Sequence, residues 1–165
     1  MADFRPAVEK ILEYEGGYID NPNDYGGETN FGISKRQYPN LDIKALDRET
    51  AIGIYYRDYW CRFQGDQLAS QAVAEELMDT AVNMGWNRAG MFLQEALNLL
   101  TGSELKVDGL VGPKTITWAN GYRFPKALLT VLNGLQFERY RDIVEKDPAQ
   151  REFLRSWLAR VEFKA

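Results

Sequence analysis

The chain has 165 residues, with 24 acidic and 20 basic side chains, a net charge of −4 and no histidine. Without imidazole it can build neither a Ser-His-Asp nor a Cys-His nucleophile and lacks the usual zinc ligands, and no G-x-x-x-x-G-K-[ST] loop is present to cradle a phosphate. Residues 1–60 carry eleven acids against seven bases, so the excess negative charge sits in one segment that would repel a polyphosphate, which argues against nucleic acid as a partner.

Residues 3–15 read as a helix. Asp3 is placed to cap it, Pro6 is tolerable in its first turn, and Phe4, Val8, Ile11 and Leu12 form one apolar stripe at helical spacing. Glu15 continues that stripe, and Gly16-Gly17 ends the helix. Turn residues are dense over 18–33, with Tyr18-Ile19 and Thr29 to Ile33 able to form short strands, so a small β-hairpin is expected there. After Ile33 the pattern is helical. Segments 50–63, 70–84, 88–100, 125–145 and 149–162 each carry apolar residues at helical spacing, with Gly or Pro at the junctions. Asp108-Gly109 and Gly112-Pro113 read as a turn, with Thr115 as a cap for a following helix. The expected fold is mainly α, an α+β arrangement of helices with a small β-hairpin near the N-terminus and a helical C-terminal half.

The length suits one domain, or one domain with a closely packed second lobe. Four Trp, nine Tyr and eight Phe argue for a packed globule, although sugar-binding clefts use aromatic faces too. Cys61 is alone, so no intrachain disulfide forms. The first residues show no basic stretch followed by an apolar run, and no apolar run approaches ~20 residues. Synthesis in the cytoplasm without a signal peptide and without membrane insertion is the expectation. A target beyond the membrane would then require a separate route of release.

Chemistry is suggested by two carboxyls. Glu15 stands at a helix end on the core-facing stripe, where desolvation and the helix C-terminus both raise a carboxyl pKa, as a general acid at neutral pH needs. An ordinary helix-end Glu paired with Lys or Arg fits the same position. Nine residues on, Asp24 lies in a glycine-rich loop that leads back past the helix end. Gly26-Gly27 permits close approach of backbone to a ligand, and Thr29 brings a hydroxyl able to hold a water or substrate atom. Glycosidic cleavage uses such a pair, one neutral and proton-donating, one charged.

The spacing of Glu15, Asp24 and Thr29 resembles the helix-end Glu, hairpin Asp and Thr of phage-type lysozymes. Gly16-Gly17-Tyr18, Asn21-Pro22-Asn23-Asp24 and the block Gly26-Gly27-Glu28-Thr29-Asn30-Phe31-Gly32-Ile33 look more closely like glycoside hydrolase family 108. Those proteins are N-acetylmuramidases, some described as secretion activators and some as phage endolysins. Tyr55-Tyr56-Arg57-Asp58-Tyr59-Trp60 and Asp79-Thr80-Ala81-Val82-Asn83-Met84-Gly85 resemble further segments of that family. Asp108 to Thr115 resembles an element of its peptidoglycan-binding half, and Phe153 to Val161, with Trp157 and Arg160, resembles its closing pattern, with Ser156 in place of an expected Gly.

The resemblance implies a lysozyme-like catalytic half over 1–96 and a peptidoglycan-binding-like helical half over 97–165, packed as one globule. It implies Glu15 as catalytic acid, with Asp24 as partner and Thr29 assisting; Asp20 and Glu28 compete with Asp24 for the second role. Tyr18, Glu28, Asn30, Asn83 and Tyr59 are the expected substrate contacts. Asn83 could equally hold a neighbouring helix end, and Tyr55, Tyr59 and Trp60 also suit the core. No cofactor or metal is implied. The implied substrate is the β-1,4-linked glycan strand of peptidoglycan, reached in the periplasm or wall by a monomer that depends on a holin-like pore or a secretion pathway. A lytic transglycosylase and a wall-binding secretion helper without turnover are the rival readings.

Overall fold

The computed structural model describes residues 1–14, 17–20 and 27–161. The first helix, α1, runs Phe4–Tyr14. Asp3 caps it, its Oδ1 accepting from the backbone N–H of Arg5 at 2.9 Å. Ala7, Val8 and Ile11 are almost wholly buried, and Phe4 and Leu12 pack on the same core. The expected stripe is therefore the buried face of α1.

The β element is smaller and differently folded than the sequence pattern predicts. Thr29 to Ile33 is not one strand. Strands β1 (Thr29–Asn30) and β2 (Ile33–Ser34) pair antiparallel, with Thr29 opposite Ser34 and Asn30 opposite Ile33. The turn between them is Phe31-Gly32, with φ of 50° and 74°. Positive φ at both central residues is the two-residue turn whose twist matches the strands, and Gly32 meets that demand without strain. The Tyr55 hydroxyl donates to the Phe31 carbonyl at 2.9 Å and helps pin the turn to the helical body. Ile19 adds a single bridge on the other side of Thr29, exchanging two backbone hydrogen bonds of 2.8 Å.

Helix α2 (Arg48–Asp58) starts at Asp47, whose carboxylate accepts from the Thr50 N–H at 2.8 Å. Short 3-10 turns follow at Trp60–Phe63 and Gly65–Gln67. Then come α3 (Gln71–Met84) and α4 (Trp86–Thr101), separated by Gly85 at a φ of 89°. The two pack against each other, α6 (Pro125–Lys146) lies across both, and α1 lies on α3. Trp60, Tyr55, Phe63, Leu77, Met78, Leu93, Leu97, Leu128 and Leu132 are fully buried among these elements. Each such aliphatic or aromatic side chain contributes about 1.5–3 kcal/mol.

Between α4 and α5 (Pro113–Gly121) the chain turns on a polar junction. The Gln94 side chain, 2% exposed, accepts from the N–H groups of Asp108 (3.0 Å) and Gly109 (2.8 Å), and donates to Asp108 Oδ1 (3.1 Å) and the Leu110 carbonyl (3.2 Å). Asn87 donates to the Asp108 carbonyl at 3.0 Å. A Cβ on Gly90 would collide with the Gly109 carbonyl, and one on Gly109 with Asn87, so both glycines allow a backbone-to-backbone approach. Thr115 does not cap α5: the N-cap is Gly112, Pro113 opens the helix, and Thr115 is buried within its first turn. Proline at that position needs no N–H partner, so the helix begins before the threonine.

Helix α7 (Arg151–Leu158) returns along α6. Trp157 stacks on Tyr140 with ring centroids 5.2 Å apart, and Arg160 reaches across to Asp79 on α3. Ser156, where a Gly was expected, is exposed and donates to the Phe153 carbonyl at 2.8 Å. The division expected at 96/97 falls inside α4. Among the described residues no helix is long and apolar enough to cross a membrane.

Candidate active site

Glu15 and Asp24 lie outside the described residues, so the site is built from what surrounds them. Helix α1 delivers the chain to within one residue of Glu15. Its C-terminal half faces α3, where the Lys10 ammonium pairs with Glu75 at 2.6 Å. Further along the chain, a bridge joins Ile19 to Thr29 at the β element.

Thr29 is half-buried at this bridge. Its hydroxyl donates to the Gly27 carbonyl at 3.4 Å. The exposed Tyr18 hydroxyl donates to Glu28 Oε1 at 3.0 Å. Partial desolvation, then that hydrogen bond and the charge of Glu28, raise the Tyr18 pKa above its ordinary value. Tyr18, Glu28 and Thr29 thus stand together at the outer edge of the β element.

Two of the expected substrate contacts face the interior instead. Asn30 is 6% exposed and its amide donates to the carbonyls of Ile43 (3.1 Å) and Leu46 (3.2 Å), so it clamps the segment that follows the hairpin. Strand alternation puts Thr29 outward and Asn30 inward, a register that periodicity alone did not assign. Tyr59 is also 6% exposed. It accepts from Gln37 Nε2 at 2.9 Å and lies 5.5 Å from the Tyr55 ring. It belongs to the core, as do Tyr55 and Trp60.

Asn83 is exposed near the end of α3 and donates to the Asp79 carbonyl (3.0 Å) and to Asp79 Oδ2 (3.3 Å). That bond ties it to a feature the motif reading did not single out. Asp79 is largely buried and forms an ion pair with Arg160 at 3.0 Å. Its other oxygen accepts from Gln136 Nε2 at 3.0 Å. Desolvation outweighs the pull of Arg160 and these donors, and the Asp79 pKa is raised above the ordinary carboxylate value.

Asp79 lines a pocket of about 240 Å³ with Lys10 and Glu13 of α1, Glu75 and Glu76 of α3, and Arg160. Leu129 and Asn133 of α6 complete its wall. The pocket lies beside the half of α1 that leads to Glu15, and Glu13 is two residues before it. Four carboxylates and two cations give it an acidic lining. Among the described residues no cluster of three His, Cys, Asp or Glu is arranged to hold a metal.

The sequence signal for this region was divided. Asp79 and Arg160 fell in separate motifs, and no polar residue of α6 was singled out.

The family model for glycosyl hydrolase 108 matches residues 8–85, and that for a "Predicted Peptidoglycan domain" matches residues 88–162. The stretch 8–85 is therefore similar to glycosyl hydrolase 108 proteins. The two matches meet at the Gly85 turn between α3 and α4. Among solved structures, SagA of Brucella abortus is similar over 96% of this chain and 88% of its own, at 26% identity and a TM-score of 0.77. The mainly helical, lysozyme-like fold is thus shared with SagA. No curated protein matches the sequence. Together the two matches support a glycoside hydrolase directed at peptidoglycan.

Proposed function

We propose that the protein is an N-acetylmuramidase, hydrolysing the β-1,4 bond between N-acetylmuramic acid and N-acetylglucosamine. Glu15 protonates the leaving oxygen, Asp24 activates water or stabilises the oxocarbenium-like transition state, and Thr29 holds the water. The observation that carries this reading is the glycosyl hydrolase 108 match, whose residues 8–85 take in all three side chains. Support also comes from α1, which ends one residue before Glu15, and from the Ile19–Thr29 bridge. Tyr18, Glu28 and Thr29 stand at that bridge. The substrate lies in the periplasm or wall, and the protein acts there after release through a holin-like pore or secretion pathway.

Glu15→Gln is the test. A general acid is worth about 100-fold or more in rate, so this variant should fail to clear purified peptidoglycan in a turbidity assay while keeping its melting temperature. A variant that clears the wall at near-normal rate removes Glu15 from the mechanism. Mass spectrometry of the wild-type digest should show products that have gained water; 1,6-anhydro ends would make the enzyme a lytic transglycosylase instead.

A further inference from the structure

We propose that the pocket between α1, α3 and α6 is a subsite for a primary ammonium group carried by the wall polymer. This rests on the reading of the protein as a peptidoglycan hydrolase and names the part of the substrate that the pocket takes.

Charge is the first reason. Glu13, Glu75, Glu76 and Asp79 outnumber Lys10 and Arg160, which disfavours an anion and favours a cation. The second reason is independent of charge. Asn133 lines the pocket at 1% exposure, and its Oδ1 accepts no hydrogen bond, while its Nδ2 donates to the Leu129 carbonyl at 3.0 Å. Three and seven residues further along α6, and outside the pocket lining, Gln136 Oε1 and the Tyr140 hydroxyl are also buried without partners. Spacings of three and seven put all three on one face of the helix. A buried acceptor without a donor costs about 1–3 kcal/mol. The Asn133 acceptor beside carboxylates is complementary to a group that only donates, and an ammonium offers three donors and no acceptor.

Size narrows the choice. A pocket of about 240 Å³ admits an aminoalkyl arm. Peptidoglycan carries such amines in two places: on the diamino residue of the peptide stem and on glucosamine that has lost its acetyl group. Held beside Glu13, the amine would fix the register of the strand against the end of α1.

The experiment is co-sedimentation of the full chain carrying Glu15→Gln with purified sacculi, before and after acetylation of their primary amines. Acetylation should weaken binding about tenfold, the loss of one charged hydrogen-bonding group. Adding Glu76→Gln or Asn133→Leu should weaken binding to untreated sacculi and abolish the response to acetylation. Equal binding to treated and untreated walls overturns the proposal. So does a pocket variant, folded by circular dichroism, that responds to acetylation as strongly as its parent. Should neither pocket variant fold, the treated and untreated walls decide with Glu15→Gln alone. Sacculi stripped of stems by an amidase identify the source: binding lost on stripping points to the stem amine, and binding kept until acetylation points to glucosamine. Turbidity clearing by the wild-type chain is scored separately. Acetylation-sensitive binding without clearing would therefore sink the hydrolase reading and leave the subsite standing.

Discussion

Two polar junctions hold the helices together, and they are built in opposite ways. At the Gln94–Asp108 junction a 2% exposed amide uses both its oxygen and its nitrogen, in four hydrogen bonds to the loop before α5. At the α3–α6 junction, Asn133, Gln136 and Tyr140 are as deeply placed, yet each keeps a polar atom without a partner. Among the described residues these three atoms are the buried side-chain polar atoms that lack one. A saturated buried network rigidifies a fold, whereas an unsaturated one costs stability unless something else completes it. The first junction is structural. The second reaches the pocket beside α1 through Asn133, where an acceptor without a partner suits a site that receives a ligand.

The largest expected effect tests the structural side. Gln94→Leu strands the N–H groups of Asp108 and Gly109 and frees the Asp108 loop, so urea unfolding should show a loss of about 4 kcal/mol. A loss below about 1 kcal/mol would mean that the loop finds other partners and that the junction is not saturated by design.

Asn133→Leu is the matched substitution on the other side. It replaces an amide of similar volume and removes an acceptor that already had no donor. Stability should stay within about 1 kcal/mol of the parent or rise. A loss comparable to that of Gln94→Leu would erase the distinction between the junctions.

The smallest effect is a change of slope. Burial raises the Asp79 pKa in the folded chain above its ordinary value of 3.8. The folded state therefore holds this proton more tightly than the unfolded state, and stability falls as pH rises from about 3.8 through the folded pKa, then levels off. Asp79→Asn cannot titrate. Urea unfolding from pH 3.5 to 7 should show that the variant lacks this fall, and an unchanged slope would place the titration elsewhere.

Much of this arrangement could be read along the chain. Helix α1 and its stripe follow from Phe4, Val8, Ile11 and Leu12 at helical spacing, and Asp3 caps it because a short carboxylate suits an unpaired N–H. Helices α3, α4 and α6 lie close to the expected segments, since long apolar periodicity is a local signal. The hairpin was legible as a turn-rich segment, but the fold at Phe31-Gly32 was not. Phenylalanine is a poor turn residue, and what helps hold it there is the hydroxyl of Tyr55, 24 residues away. Asn30 and Tyr59 looked like glycan contacts by residue type. Which way they point depends on strand register and on Gln37, Ile43 and Leu46.

The sequence by itself determined the chemistry within reach. A chain without histidine, with Glu15 after an amphipathic helix and Asp24 and Thr29 in the loop beyond, has carboxylates to work with and few other catalytic groups. Only the tertiary structure decided which polar residues are consumed by the fold and which remain available. Asp79 meets Arg160 across 81 positions, and Asn133 comes to line a pocket with α1 from the far end of the chain. Hydrogen-bond satisfaction is a property of partners brought together by folding, and local composition does not encode it.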